Sequence, residues 1–243
     1  MADVTANLPS LPDAEIHHDH RDVSGGWLRP TVFGAMDGLV SNFALIAGIA
    51  GASAASKDIA LAGLAGLVGG AFSMAAGEYI SVQSQNESTE AELIVERHEL
   101  KHNAAAEQAE LAQTYVARGV DSDLAHQVAE QLSRDPDQAL LIHAQEELGI
   151  NPSQLPSPYV AAASSFASFC VGAVIPLLPY LLGATTVLIS AALAVVSLFA
   201  AGAISTRFTS RGWLYAGSRQ LVFGLLAAAV TYGVGSLFGA TTG

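Results

Sequence analysis

The chain has 243 residues, of which 51% are hydrophobic and only 13% are charged, and its mean hydropathy is +0.40. A soluble domain is about a quarter charged, so this composition argues against a soluble globular protein. The formal net charge is −12, from 10 basic and 22 acidic residues. Binding to phosphate backbones needs a basic surface, and we therefore expect no nucleic-acid partner.

Residues 1–30 are polar and contain the cluster His17-His18-Asp19-His20. The segment has no apolar core, so it is not a cleavable signal peptide, and we predict a mobile N-terminal tail. Five apolar stretches follow, each close to the 20 residues that a membrane-spanning helix needs. They cover residues 31–52, 59–82, 159–182, 184–206 and 220–240. Buried helices of a soluble protein are the alternative, but five such runs in one chain argue against it.

The acidic residues are concentrated between the second and third apolar stretches. Residues 83–157 hold 14 of the 22 acidic residues and four basic ones, and so carry −10 of the net charge. The sequence therefore predicts an all-α polytopic membrane protein with an acidic insert, 83–157, between two spans in 31–82 and three in 158–243. One side of the membrane would hold nine Lys and Arg residues and the other only Lys57. Because Lys and Arg are enriched on cytoplasmic flanks, we expect the N-terminus and the insert in the cytoplasm.

The insert is predicted to be helical. Residues 84–117 contain no Gly or Pro and are rich in helix formers, and Gly119 is a plausible stop. A second helix is expected over 121–133, and a third over 136–148 that ends at Gly149. Residues 151–158 form a proline-containing linker into the third span.

Five glutamates of the first insert helix fall within about 80° of one another at roughly 100° per residue. They are Glu92, Glu96, Glu99, Glu107 and Glu110. A solvated face is the ordinary explanation for such a stripe. However, like charges at this spacing repel, and a divalent cation bound beside a packing surface would relieve that repulsion. On the third insert helix, His143 and Glu147 have i, i+4 spacing. Their nitrogen and carboxylate ligands favour a transition metal, although such a pair is also a common surface contact.

Ionisable residues inside a span are costly and usually mark a pathway. Asp37 lies about six residues inside the first span and Glu78 about four inside the second, from the same end, so the two can share one depth. Met74 is one turn from Glu78 and adds a thioether. Carboxylate and thioether together suit ferrous or manganous ion better than magnesium. The alternative is that both acids reach back to the interface.

Several segments together resemble the vacuolar iron transporter family. They are FGAMDGLVSNFALIAGIAG (33–51), MAAGEYISVQSQ (74–85), TYVARGV (114–120), EELGI (146–150) and VGAVIPLLPYLL (171–182). The resemblance implies five spans per subunit, a homodimer in a lipid bilayer, and removal of ferrous iron from the cytosol in exchange for protons. The GWLRP start and the short length are more typical of bacterial than of plant members. This favours the bacterial plasma membrane, or the vacuolar membrane if the source is eukaryotic.

The resemblance also implies ligands. The family's intramembrane Asp and Met match Asp37 and Met74, and the Glu of its GEY motif matches Glu78. The glutamates of its cytoplasmic metal-binding domain match Glu96, Glu99, Glu107 and Glu110, and a later Met and Glu fall at His143 and Glu147. A second-span acidic position of the family is Gly66 here.

The leading hypothesis is a proton-coupled transporter of Fe²⁺, with Mn²⁺ as the alternative ion, and not an enzyme. The metal is the transported and regulatory ion, and no prosthetic group is expected. The rival is a membrane-anchored ferritin-like iron oxidase or storage protein, which needs Glu-x-x-His on each of two helices. Glu99-His102 supplies one such pair, but the only other, Glu15-His18, lies in the N-terminal tail. A third reading is a metal-sensing membrane regulator without transport.

Overall fold

The computed structural model describes residues 26–208 and 211–242. The described chain is helical, without strands. Its helices are α1 (Leu28–Gly51), α2 (Ser56–His102), α3 (Ala104–Ala117), α4 (Ser122–Leu132), α5 (Pro136–Glu146), α6 (Pro158–Leu181), α7 (Val187–Ser205) and α8 (Trp213–Thr242). Short 3₁₀ turns cover Pro152–Gln154 and Thr206–Phe208. Most of the predicted tail, including its histidines, lies outside the described residues.

Five helices are long and apolar enough to cross a membrane, which confirms the predicted all-α membrane fold. They are α1, α2, α6, α7 and α8, and each contains one of the five apolar stretches. The first and third of them have the largest buried share, 44% of the apolar window in each case. These two helices therefore form the inside of the bundle, while the other three have more exposed surface.

α1 lies at the centre of the bundle and contacts α2, α6, α7 and α8. Leu39 and Phe43 of α1 pack with Leu198 of α7 and Ala228 of α8. On its other side, Ile46 packs with Ile59, Leu177 and Tyr180. Between helices in a bilayer, close van der Waals packing rather than removal from water provides the attraction, and α1 makes such contacts on several sides.

Small residues let α1 approach its neighbours closely. A Cβ atom on Gly34 would meet the carbonyl oxygen of Ser165 at 2.7 Å, and Gly38 lies equally close to the α6 backbone. Gly235 and Gly239 of α8 pack against Gly48 and Ala52 in the same way. Glycines four residues apart in spans often mark helix contacts. Here these pairs serve contacts within one chain, so they give no support to the predicted homodimer.

The prediction of a separate first insert helix over 84–117 is wrong. α2 runs without interruption from the second span into the insert and has 47 residues. It ends at Asn103, where φ is −126° and ψ is 29°, and α3 begins at the next residue. The Asn103 carbonyl accepts hydrogen bonds from the Ala106 and Glu107 N–H groups at 2.8 and 3.2 Å. Asparagine has a lower helix propensity than the Ala, Glu and Lys residues around it, and the break falls at this residue.

The remaining insert helices begin and end close to the predicted residues. The Asp121 carboxylate accepts from the N–H groups of Asp123 and Leu124 and so caps α4. Asp135 caps α5 in the same way, with proline in the first turn. Gly119 and Gly149 have φ values of +96° and +65°, which glycine adopts without strain. Both therefore end helices, as the sequence predicts.

Candidate metal sites

A cavity of about 250 Å³ lies between α1 and α2 within the spans. It brings together the Asp37 carboxylate and the Met74 thioether, as the sequence predicts. Its lining residues are Asp37, Ser41, Asn42, Leu45, Gly66, Gly70, Ser73, Met74 and Phe169. Carboxylate, thioether, amide and hydroxyl groups in one chamber form a mixed oxygen and sulfur donor set of the kind that divalent transition metals accept.

Missing side chains create this cavity. A Cβ atom on Gly66 would lie 2.5 Å from Cδ2 of Leu45, and one on Gly70 would collide with the Phe169 ring. The α2 wall of the cavity is therefore bare backbone at these two positions. Gly66 thus leaves a space in the cavity wall, and Asp37 is the one carboxylate among the lining residues.

Glu78 is not among the residues that line this cavity, and its role as a metal ligand stays a prediction. The residue is 7% exposed, and Oε2 lies 3.7 Å from Nη1 of Arg29 at the start of α1. Glu78 follows Met74 by one helical turn and so lies closer to the insert. It occupies a separate position between the insert and the cavity, next to a guanidinium that balances its charge.

Three polar cavity residues, Ser41, Asn42 and Ser73, were missed by the reasoning from sequence. Asn42 is 2% exposed, and its Nδ2 donates a hydrogen bond to the Ala173 carbonyl at 2.7 Å. A signal was present, because buried polar side chains in apolar runs are costly and usually have a task. Ser41 follows Asp37 by one helical turn, and this spacing also identifies it as a candidate residue of the cavity.

In the insert, a buried histidine is surrounded by carboxylates. His143 is fully buried, and its Nδ1 lies 2.9 Å from Glu147, 3.1 Å from Glu96 and 3.7 Å from Glu107. None of these contacts has hydrogen-bond geometry, so neither ring nitrogen has a hydrogen-bond partner among the described residues. Ligand atoms of Glu96, His143 and Glu147 lie within 4.8 Å of one another. Nitrogen and oxygen ligand atoms that converge without hydrogen bonds to one another can instead bind a cation placed between them.

A second group of carboxylates adjoins the first. Ligand oxygens of Glu107, Glu110 and Glu147 also lie within 4.8 Å of one another, so Glu147 belongs to both groups. Glu99 belongs to neither, and its carboxylate accepts a hydrogen bond from the Asn103 side chain. The structure thus brings five of the six predicted insert residues together, and their role as metal ligands stays a prediction.

Tertiary contacts between α3 and α5 position these groups. Arg118, just after α3, forms an ion pair with Glu146 at the end of α5. The Tyr115 hydroxyl lies 3.4 Å from the same carboxylate. Leu111 packs in a small core with Ala129 of α4. These contacts hold the end of α5 against α3, and thereby place Glu147 beside the carboxylates of α3.

The environment raises the pKa of three glutamates. Burial raises the pKa of Glu96, and the charge of Glu147 adds to the effect. Burial likewise raises the pKa of Glu107, followed by the charge of Glu96. Partial burial raises the pKa of Glu147, against the opposite influence of His143. Raised carboxylate pKa values mean that protons compete with a cation for these oxygens at a higher pH than at an ordinary glutamate.

These shifts predict that the metal-free protein becomes more stable as the pH falls. A folded-state pKa above the unfolded value stabilises the fold fully below the unfolded pKa, and this stability is lost as the pH rises through the folded pKa. We expect the unfolding temperature of the chelator-treated protein in detergent to rise as the pH is lowered from neutrality toward the ordinary pKa of glutamate. Glu96→Gln should flatten this dependence. An equal slope in wild type and variant would contradict the prediction.

The Glu99-His102 pair of the oxidase hypothesis does not form a site. The His102 ring lies 4.1 Å from the ring of His98, and its Nδ1 contacts the His98 carbonyl at 2.8 Å. His102 is exposed and belongs to neither group of ligand atoms. The other pair, Glu15-His18, lies outside the described residues.

The fold and the two candidate sites define a polytopic membrane protein that places a carboxylate and a thioether in a cavity between two spans. Comparison with known proteins is more specific. The VIT family model matches residues 28–236, which is most of the chain. The chain therefore belongs to the VIT family, whose members are transporters, not enzymes.

Curated relatives agree along nearly the whole chain. A "Vacuolar iron transporter" of Acanthamoeba castellanii is 38% identical over 245 residues, covering 98% of this chain and 87% of the relative. "Vacuolar iron transporter 1" of Oryza sativa subsp. japonica is 31% identical, covering 93% and 94%. "Vacuolar iron transporter 1" of Arabidopsis thaliana is 30% identical, covering 89% and 88%. These names support metal transport for this chain.

Proposed function

We propose that this chain moves ferrous iron out of the cytoplasm in exchange for protons, with manganous ion as the alternative substrate. The observation that carries the proposal is the cavity that joins the Asp37 carboxylate to the Met74 thioether between two spans. A carboxylate in a span is costly unless its charge is used. A bound divalent cation balances the charge in one state of the transporter, and a bound proton neutralises it in the other.

The proposed order of events follows from the placement of the charged groups. The insert, with its net charge of −10, gathers hydrated metal on the cytoplasmic side. The ion passes Glu78 and enters the cavity, where Asp37 and Met74 replace part of its water. On the far side, the Asp37 carboxylate takes up a proton as the metal leaves. Metal and proton compete for the same oxygen atoms, so the exchange is coupled.

The raised pKa values in the insert support a regulatory part for the same ion. As cytoplasmic pH falls, protonation of Glu96, Glu107 and Glu147 weakens metal binding to the insert. A homodimer in the plasma or vacuolar membrane, as the family resemblance implies, belongs to the same proposal. A metal sensor without transport would leave the cavity around Asp37 without a task.

Flux in sealed vesicles tests the proposal directly. Purified full-length protein is reconstituted with a metal-sensitive dye and a pH-sensitive dye inside the vesicles. We expect Fe²⁺ or Mn²⁺ to enter and protons to leave only when protein is present. Metal entry without proton movement would overturn the coupling, and no metal entry would overturn transport.

We also expect the insert to face the cytoplasm. In a Cys170→Ser background, single cysteines are introduced at Ser122 in the insert and Leu182 between α6 and α7, both of which are exposed. A membrane-impermeant thiol reagent applied to intact cells should label position 182 at once and position 122 only after lysis. The basic asymmetry of the loops gives this direction. Immediate labelling at position 122 would reverse the proposed orientation.

A further inference from the structure

Asn42 is oriented within the cavity by its own hydrogen bond. Its Nδ2 donates to the Ala173 carbonyl of α6 at 2.7 Å, and the residue is 2% exposed. A backbone carbonyl can only accept a hydrogen bond, so the amide nitrogen must face Ala173. This contact settles which end of the amide is oxygen, and it turns Oδ1 away from α6.

The Asn42 oxygen faces the space left by Gly66. A Cβ atom on Gly66 would lie 3.1 Å from Oδ1, and both residues line the cavity with Asp37 and Met74. Within the described part of the chain, this oxygen has no hydrogen-bond partner although it is buried. A buried acceptor without a partner costs free energy. Because Asp37 lines the same cavity, a cation attracted there by the carboxylate can supply the partner that this oxygen lacks.

We propose that Oδ1 of Asn42 is a ligand of the transported cation and determines its selectivity. This inference rests on the proposed function, because it concerns the same cavity. The amide oxygen is a hard ligand, whereas the Met74 sulfur is a soft one. Asn42 therefore favours Mn²⁺ and Fe²⁺ over soft cations such as Cd²⁺, which the thioether alone would prefer.

The neutrality of the amide has a second consequence. Asp37 is the one carboxylate among the lining residues, so a divalent cation in the cavity keeps a net positive charge. A second carboxylate would hold the ion more tightly and slow its release. The amide adds an oxygen ligand that binds no proton in the physiological range, and so leaves proton exchange to Asp37.

Metal uptake by proteoliposomes with full-length protein tests this proposal, with Mn²⁺ and Cd²⁺ as the hard and soft probes. For Asn42→Leu, we expect the KM for Mn²⁺ to rise about tenfold or more and that for Cd²⁺ to change much less, since loss of even a hydrogen-bond partner of a metal ligand costs roughly 10–100-fold in affinity. Met74→Leu should shift the ratio of the two KM values in the opposite direction.

A matched control separates binding from helix packing. Ser168 of α6 is also buried, and its Oγ lies 3.5 Å from the Pro30 carbonyl of α1, outside the cavity. Ser168→Ala removes a contact between the same two helices. It should leave the ratio of KM values for Mn²⁺ and Cd²⁺ unchanged.

Asn42→Asp distinguishes the two roles by the sign of its effect. A ligand role predicts a lower KM for Mn²⁺ with a lower kcat, because a carboxylate binds the ion more tightly. A purely structural role predicts a loss with both ions, because the donor to Ala173 is gone. If Asn42→Leu does not fold, the KM values of Asn42→Asp alone test the inference. An unchanged KM ratio in Asn42→Leu, or a weaker Mn²⁺ affinity in Asn42→Asp, would overturn the inference alone, whereas wild-type vesicles that admit neither ion would overturn the proposed function.

Discussion

Asp37→Asn is expected to abolish metal-driven proton movement in proteoliposomes while expression and folding stay normal. Asparagine keeps the size and polarity of the side chain but can neither balance a cation nor take up a proton. A charged carboxylate within a span costs about 2.5–3.5 kcal/mol by insertion scales. If the interaction with metal recovers this cost, its loss corresponds to roughly a hundredfold in metal affinity, at 1.4 kcal/mol per factor of ten.

The control for this experiment is the same change at a different place. Asp58 is exposed in the first turn of α2, outside the cavity. Asp58→Asn should retain wild-type metal uptake and proton release. If Asp37→Asn also retained full ferrous-ion flux, its carboxylate would not lie on the path, and the proposed mechanism would be falsified.

Glu147→Gln is expected to have the largest effect on metal binding to the insert. Glu147 is shared by both groups of ligand atoms, so its replacement damages both at once. Glu99→Gln is the matched control, because Glu99 belongs to neither group and is engaged by Asn103. Calorimetric titration of the full-length protein with Mn²⁺, in an Asp37→Asn background, isolates the insert. We expect at least about a tenfold loss of affinity for Glu147→Gln and a much smaller one for Glu99→Gln.

Two outcomes of that titration have clear meanings. Equal affinities in the two variants would identify the acidic cluster as a solvated surface without specific metal binding. In a protein that retains Asp37, Glu147→Gln should reduce transport without abolishing it. The insert concentrates ions but does not cross the membrane, so the cavity can still be reached by ions from bulk solution.

The spans could be predicted because the bilayer imposes a length and a composition on each of them. A run of about 20 apolar residues has few alternatives. The first residues of α4 and α5 could also be predicted, because the side chains of Asp121 and Asp135 cap the N-termini of these helices. The surrounding bilayer determines the spans, and interactions local in sequence determine where α4 and α5 begin.

The break at Asn103 was not predicted, although it changes the meaning of the acidic residues. On one continuous helix, Glu96 and Glu110 would share a stripe by periodicity. In the structure they lie on two helices, and the group forms because α5 brings His143 and Glu147 against both. Three of the five glutamates in the predicted stripe come together, but through contacts that the helical period does not describe. Contacts between distant segments decide the geometry, and a helical projection does not contain them.

The orientation of Asn42 also depends on a distant segment. Its hydrogen bond to Ala173 joins residues 131 positions apart. The separation of Glu78 from the cavity depends similarly on Arg29, at the start of another helix. Reasoning within one helix places Met74 and Glu78 on the same face, but it cannot tell that the neighbouring helix offers a cavity to one and a guanidinium to the other.

Because α2 is unbroken, it fixes how far the insert is rotated about the helix axis relative to the spans. Met74 and Glu96 lie on this one helix, about 33 Å apart along its axis at 1.5 Å per residue. Deletion of a single residue between them would turn everything beyond it by about 100° and draw it about 1.5 Å closer to the membrane. The insert would then meet the spans at a different angle while the cavity stayed intact. The length of this segment is therefore constrained by angle as well as by distance, and only changes close to whole turns preserve the orientation of the insert relative to the cavity.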